Sequence, residues 1–228
     1  MDSERLPLLE RCRRGGYAWL NRRVRQVEAW ARRTELRKGT RVELHGVGVV
    51  LARGDAAGTG VCLEKVQAAL DLVARHDPRS LQAMRGHFSG ILVWNGVHAA
   101  NGSYLHPERL CMLNSRYVRA EETEPARIAM TLIHELTHAK HFSRGRPLAG
   151  VHAEWLCIGA ELAFIRKVPG TEHLRRGAAR RLERRPDFYS REAETQRGIA
   201  DLEARGARWS VAFLRFLQRR REPARPGR

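Results

Sequence analysis

The sequence predicts an α+β fold: a small mixed sheet beside one helix carrying His134-Glu135-Leu136-Thr137-His138, with further helices added at both ends. Three observations lead there. Short apolar and β-branched runs, broken by turn residues, occupy 41–53 and 88–114. An apolar stripe at helical spacing passes through Ile128, Leu132 and Leu136. A second segment, 151–167, is apolar almost all round and reads as a buried helix. The organisation that follows is a basic helical segment (1–40), a catalytic domain (41–170), basic C-terminal helices (171–221) and a disordered tail (222–228).

The elements can be justified in chain order. Tyr17, Trp19, Leu20, Val24, Val27 and Trp30 make a helical stripe with arginines opposite, expected to dock on the core rather than on a membrane surface. Residues 41–53 alternate polar and apolar side chains, as a strand or hairpin does. Asp55 to Gly60 reads as a glycine-rich turn before a helix over 63–75. It lacks the Gly-Lys-Ser/Thr ending of a phosphate loop, so nucleotide binding is unsupported. Phe88 to Trp94, Ala99 to Leu105 and Glu108 to Asn114 read as short strands separated by Asn-Gly and His-Pro breaks.

The central helix has its own punctuation. Thr123 is placed as N-cap, Glu124 and Pro125 in the first turn, and Gly145 and Pro147 as stop signals. Val168-Pro169-Gly170 ends the next helix. Helices over 173–185, 190–205 and 209–221 follow, with a break at Pro186. Trp209, Phe213, Phe216 and Leu217 form an apolar stripe in the last of them.

The chemistry centres on the five-residue motif. Four residues apart on a helix, His134 and His138 project from one face and can share one metal ion. Glu135 is placed to act as a general base toward a metal-activated water. A zinc site of this kind needs a third protein ligand. Glu154 is the leading candidate, because an ionised carboxylate in an apolar helix is costly unless paired or metal-bound. His152 is the main alternative. His141 is a lesser one, since three ligands from one straight helix surround a tetrahedral ion poorly. Glu161 lies seven residues after Glu154 on the same face. It is read as a group that orients a ligand histidine or holds an arginine.

These residues resemble the zincins, zinc metallopeptidases built around an H-E-x-x-H helix. The likeness covers about residues 61–170. The order strand, strand, motif helix, loop, Glu-bearing helix is similar to the gluzincin branch, which implies Glu154 as third ligand and a sheet whose edge strand pairs with extended substrate. His141 and Arg144 stand where a metzincin would carry Gly and His. The stretch His141 to Trp155 also resembles SprT-like proteases, which use a third histidine at about the distance of His152 and act on DNA-bound proteins. Many of those carry a cysteine-paired zinc ribbon, which this chain lacks.

Composition bounds the rest. At 228 residues and 43% hydrophobic content the chain can build a real core. Its longest apolar stretches fall short of the roughly 20 residues of a membrane span. Cys12, Cys62, Cys111 and Cys157 are scattered, so a disulfide framework is not expected and a cytoplasmic setting is. Net charge is +17, with the excess on the two ends and a nearly balanced middle. A basic periphery attracts polyanions, which makes nucleic acid a candidate partner through the termini.

The expected activity is therefore zinc-dependent hydrolysis of peptide bonds. Two rivals are a SprT-like protease acting on nucleic-acid-bound proteins and a non-catalytic nucleic-acid-binding protein on the same scaffold. His141, His152, His173, Tyr117 and Tyr189 are candidates for stabilising the oxyanion.

Overall fold

The computed structural model describes residues 29–53, 56–94, 100–145 and 151–183. A helix, α1, covers residues 29–38, and a hairpin follows. Its strands β1 (Thr40–Leu44) and β2 (Val47–Leu51) pair antiparallel around His45 and Gly46, both at positive φ (52° and 73°). Two central residues at positive φ match the turn to the right-handed twist of the strands. The chain then crosses through α2 (Ala56–His76) and α3 (Pro78–His87) to β3 (Gly90–Trp94), which lies parallel to β2.

β4 (Gly102–Leu105) and β5 (Leu110–Asn114) complete a five-stranded mixed sheet in the order β1-β2-β3-β5-β4. A short helix α4 (Ser115–Arg119) leads to α5 (Pro125–Ser143), then α6 (Val151–Ile165) and α7 (Glu172–Leu182). The α+β class and the small mixed sheet agree with the sequence expectation.

The sheet is covered on both faces, which is why its central strands read as continuous apolar runs. Val49, Leu51, Ile91, Val93, Cys111 and Leu113 join the core formed with α2 and α5. Val50, Leu92, Leu110 and Met112 form a second cluster with Leu36 of α1, Trp94 and Leu105. α6 packs on α5, and α7 packs on α6.

Several local expectations need correction. The segment expected as a glycine-rich turn is helical from Ala56 onward. Glycine in a helix costs about 1 kcal/mol against alanine. Burial of Cys62, Val66, Ala69, Leu70 and Val73 along the same helix outweighs that cost. Helices α3 and α4 were not anticipated, although both carry caps. Asp77 accepts from Ser80 N with Pro78 at the first turn, and Asn114 accepts from Arg116 N. Trp30 is 65% exposed rather than docked, and Leu36 makes the core contact of α1. The rest of that N-terminal stripe, the segments 190–205 and 209–221, and the tail lie outside the described residues.

The start of α5 is fixed by tertiary contacts. Its N-cap is Glu124, one residue later than expected, and the Glu124 carboxylate makes no cap bond. It meets His173 Nε2 at 2.5 Å instead. Lys65 Nζ donates to the carbonyls of Ala120 (2.7 Å) and Thr123 (2.9 Å), tying the preceding loop to α2. Gly145, at φ +66°, follows the last turn as its sequence position suggested. Among the described residues, no helix is long and apolar enough to cross a membrane.

Candidate metal centre

His134 and His138 lie in the buried third and fourth turns of α5, facing α6. Their Nε2 atoms are 3.3 Å apart. Glu154, in the first turn of α6, places Oε2 3.5 Å from His134 Nε2 and Oε1 3.6 Å from His138 Nε2. Two imidazole nitrogens and the two oxygens of one carboxylate thus converge from two helices. Zinc bonds of about 2.0–2.1 Å in a tetrahedral site require neighbouring ligand atoms roughly 3.3–3.4 Å apart. The donor set and its spacing fit a zinc ion.

The opposite edge of the His134 ring is held as well. Nδ1 donates to Glu161 Oε1 at 2.6 Å, leaving the Nε2 lone pair for a ligand role. Glu161 is buried and is gripped in turn by Arg181 of α7, with Nη1 at 2.6 Å and Nη2 at 3.3 Å. α7 falls beyond the expected end of the catalytic domain at 170, yet it supplies this arginine to the site.

The electrostatics follow from this packing. Burial alone would lower the His134 pKa. The Glu161 hydrogen bond and the carboxylates of Glu135, Glu161 and Glu154 outweigh it and raise the value to about 9. Glu154 is opposed by its own burial, but His138 and His134 hold its carboxyl below the usual range.

Glu135 differs from both. It is 5% exposed, and among the described residues no protein group donates a hydrogen bond to its carboxylate. Burial raises its pKa against the pull of His134 and His138. A buried carboxylate with no hydrogen-bond donor among the described residues, beside a candidate ligand pair, is available for proton transfer.

Glu135 also meets the end strand of the sheet. A Cβ added at Gly102 would lie 3.2 Å from Glu135 Oε1 and 2.6 Å from Thr131 Cγ2. Thr131 cannot readily move aside, because its hydroxyl donates to the Arg127 carbonyl and meets Tyr117 Oη at 3.1 Å. Glycine at 102 is therefore what lets β4 run against α5. Strand and helix together wall a cleft of about 1010 Å³ that contains the metal-ligand candidates.

The structure thus brings His134, Glu135, His138, Glu154 and Glu161 together. His152 is exposed on α6 and does not line the cleft, and neither does His141. Position 152 is two residues from Glu154, which on a helix is a different face. Of the oxyanion candidates, Tyr117 and His173 line the cleft, and Tyr189 is outside the described residues.

Sequence reasoning passed over Cys157, whose Sγ lies within 4.8 Å of the metal-binding nitrogens of His134 and His138. Its spacing from Glu154, one helical turn, was the available signal. Burial, then the carboxylates of Glu154, Glu135 and Glu161, push its thiol well above the ordinary value. The two basic ends, on which a nucleic-acid partner was argued, fall mostly outside the described residues. Comparison with family models, curated proteins and solved structures finds no match.

Proposed function

We propose that this chain is a zinc metallopeptidase of the zincin type, with His134, His138 and Glu154 as metal ligands and Glu135 as general base. The observation that carries the reading is the convergence of three side chains, with the two Nε2 atoms 3.3 Å apart and each Glu154 oxygen 3.5 or 3.6 Å from one of them, beside a buried carboxylate that has no donor among the described residues. Zinc, when bound, supplies the Lewis acidity that acidifies a water molecule and polarises an amide carbonyl.

The remaining steps belong to the protein. Glu135 takes the proton of the attacking water and delivers it to the leaving amine. Its raised pKa suits both directions of that transfer, since base and acid strength are better balanced nearer neutrality. Glu161 fixes the tautomer and orientation of His134, and Arg181 fixes Glu161. β4, at the end of the sheet, offers backbone to an extended peptide alongside Glu135, in keeping with the resemblance.

The test is Glu135→Ala in the full chain, assayed on a mixed peptide library with metal content measured on the same sample. Loss of cleavage with zinc retained supports the reading. Undiminished zinc-dependent cleavage refutes the assigned base.

A further inference from the structure

We propose that the cleft selects peptides bearing an acidic group, either a side-chain or a terminal carboxylate, two to four residues from the bond to be cut. The inference rests on the metallopeptidase reading and adds a substrate class to it. Arg127, Thr131, His134 and His138 follow one another on α5 at spacings of four, three and four, so they form one stripe along the cleft wall. Arg127 is seven residues from His134, about 10 Å along the helix axis at 1.5 Å per residue. An extended peptide covers that distance in roughly three residues.

Arg180, from α7, lines the same cleft. Its neighbour Arg181 is committed to Glu161. Arg127 and Arg180 are both exposed, and among the described residues neither has a carboxylate partner. The cleft therefore has two different ends. One is the ligand cluster, where Glu135, Glu154 and Glu161 sit. The other, seven residues back along α5, presents the Arg127 guanidinium, a group suited to bind a carboxylate through paired N–H donors, while Arg180 lines the same cleft next in the chain to Arg181.

A continuous phosphate backbone fits this layout poorly, because it would meet three carboxylates at the metal end. A peptide with a neutral segment at the metal and an acid about three residues away meets both ends favourably. The Arg127 guanidinium also acts at a distance, drawing an anionic group of the substrate toward that end of the cleft.

The experiment uses the full chain carrying Glu135→Ala, loaded with zinc, so that binding is read without turnover. Three fluorescein-labelled probes are compared by anisotropy at fixed ionic strength: a decapeptide with two glutamates, the same peptide with two lysines, and a ten-nucleotide oligothymidylate. The acidic peptide is expected to bind about tenfold or more tighter than the lysine peptide. Adding Arg127→Glu and Arg180→Glu should erase that preference. Arg33→Glu with Arg37→Glu makes the same change in net charge on exposed positions of α1, away from the cleft, and should leave the preference in place.

Equal loss in both double variants would reduce the effect to net charge and overturn the proposal. So would oligothymidylate binding that depends on Arg127 and Arg180 as strongly as the acidic peptide does. Metal analysis separates the two levels of inference. Stoichiometric zinc and cleavage without acidic preference would sink the substrate class alone. An acidic preference lost with Arg127 and Arg180, in a protein that takes up no zinc, would sink the metallopeptidase reading and keep the anion-binding cleft.

Discussion

Glu161 Oε1 lies 2.6 Å from His134 Nδ1, and the same carboxylate is held by Arg181. A helix-to-helix relay thus runs from α7 through α6 to a candidate ligand on α5. Carboxylate partners of ligand histidines raise ligand basicity and fix ring orientation, and their loss costs about 10–100-fold in metal affinity. Glu161→Gln keeps the shape and removes the charge. It should weaken zinc binding by about that factor in a chelator competition assay, with the fold intact by circular dichroism. Unchanged affinity would leave Glu161 as a purely structural partner of Arg181.

The raised pKa of His134 makes metal binding compete with a proton. With a value of about 9, His134 is mostly protonated at neutral pH in the metal-free protein. A ligand imidazole must be neutral, so apparent zinc affinity should rise about tenfold per pH unit on this account until pH approaches 9. The sign for stability is the opposite. The folded-state value exceeds the unfolded 6.5, so the protonated pair stabilises the metal-free fold fully below about pH 6.5 and loses that contribution as pH rises through about 9. Titration of zinc at pH 6.5, 7.5 and 8.5, with thermal melts of the chelated protein across the same range, checks both. Affinity flat in pH would exclude a protonated His134.

The motif helix, the helix after it and the three strands before it were legible because their signals are local, although that second helix is buried on one side only and leaves Trp155 and Leu156 exposed. Apolar periodicity places Ile128, Leu132 and Leu136, and Gly145 and Gly170 mark where helices stop. Convergence of Glu154 on the two histidines could be argued from the cost of a buried charge, yet the choice between Glu154 and His152 needed the relative placement of α5 and α6. Gly102 carries no local signal at all, since its role comes from the approach of β4 to Thr131 and Glu135. The failure at Asp55–Gly60 has the same origin. Glycine reads as a turn until the burial of the following helix is known.

Glu154 and Cys157 lie one turn apart on α6, and they imply different proteins. With Glu154 as third ligand a position stays open for water. With both Glu154 and Cys157 bound the tetrahedron is closed and the site is structural. Burial and three nearby carboxylates keep the Cys157 thiol protonated, which opposes ligation. Cys157→Ser should therefore retain zinc, whereas Glu154→Ala should lose it or bind at least 100-fold more weakly. Cobalt substitution gives an independent readout. An intense thiolate-to-cobalt charge-transfer band in the near ultraviolet, removed by Cys157→Ser, would overturn the open site.

Gly102 offers a test of the cleft that leaves every candidate ligand untouched. A methyl group there would stand 2.6 Å from Thr131 Cγ2 and 3.2 Å from Glu135 Oε1, while Thr131 is anchored through its hydroxyl. Either β4 moves away from α5 or the Glu135 carboxylate is pushed aside. Overpacking of this kind costs about 1–3 kcal/mol. Gly102→Ala should lower the melting temperature and cut kcat by about tenfold or more, because small displacements of a positioned base are costly. Zinc content should stay at wild-type level. Thr131→Ser removes the methyl group of the closest contact and keeps the hydroxyl, so the double variant should recover most of the lost stability and a large part of the activity. A Gly102→Ala protein that melts and cleaves like wild type would show that β4 and Glu135 are not coupled.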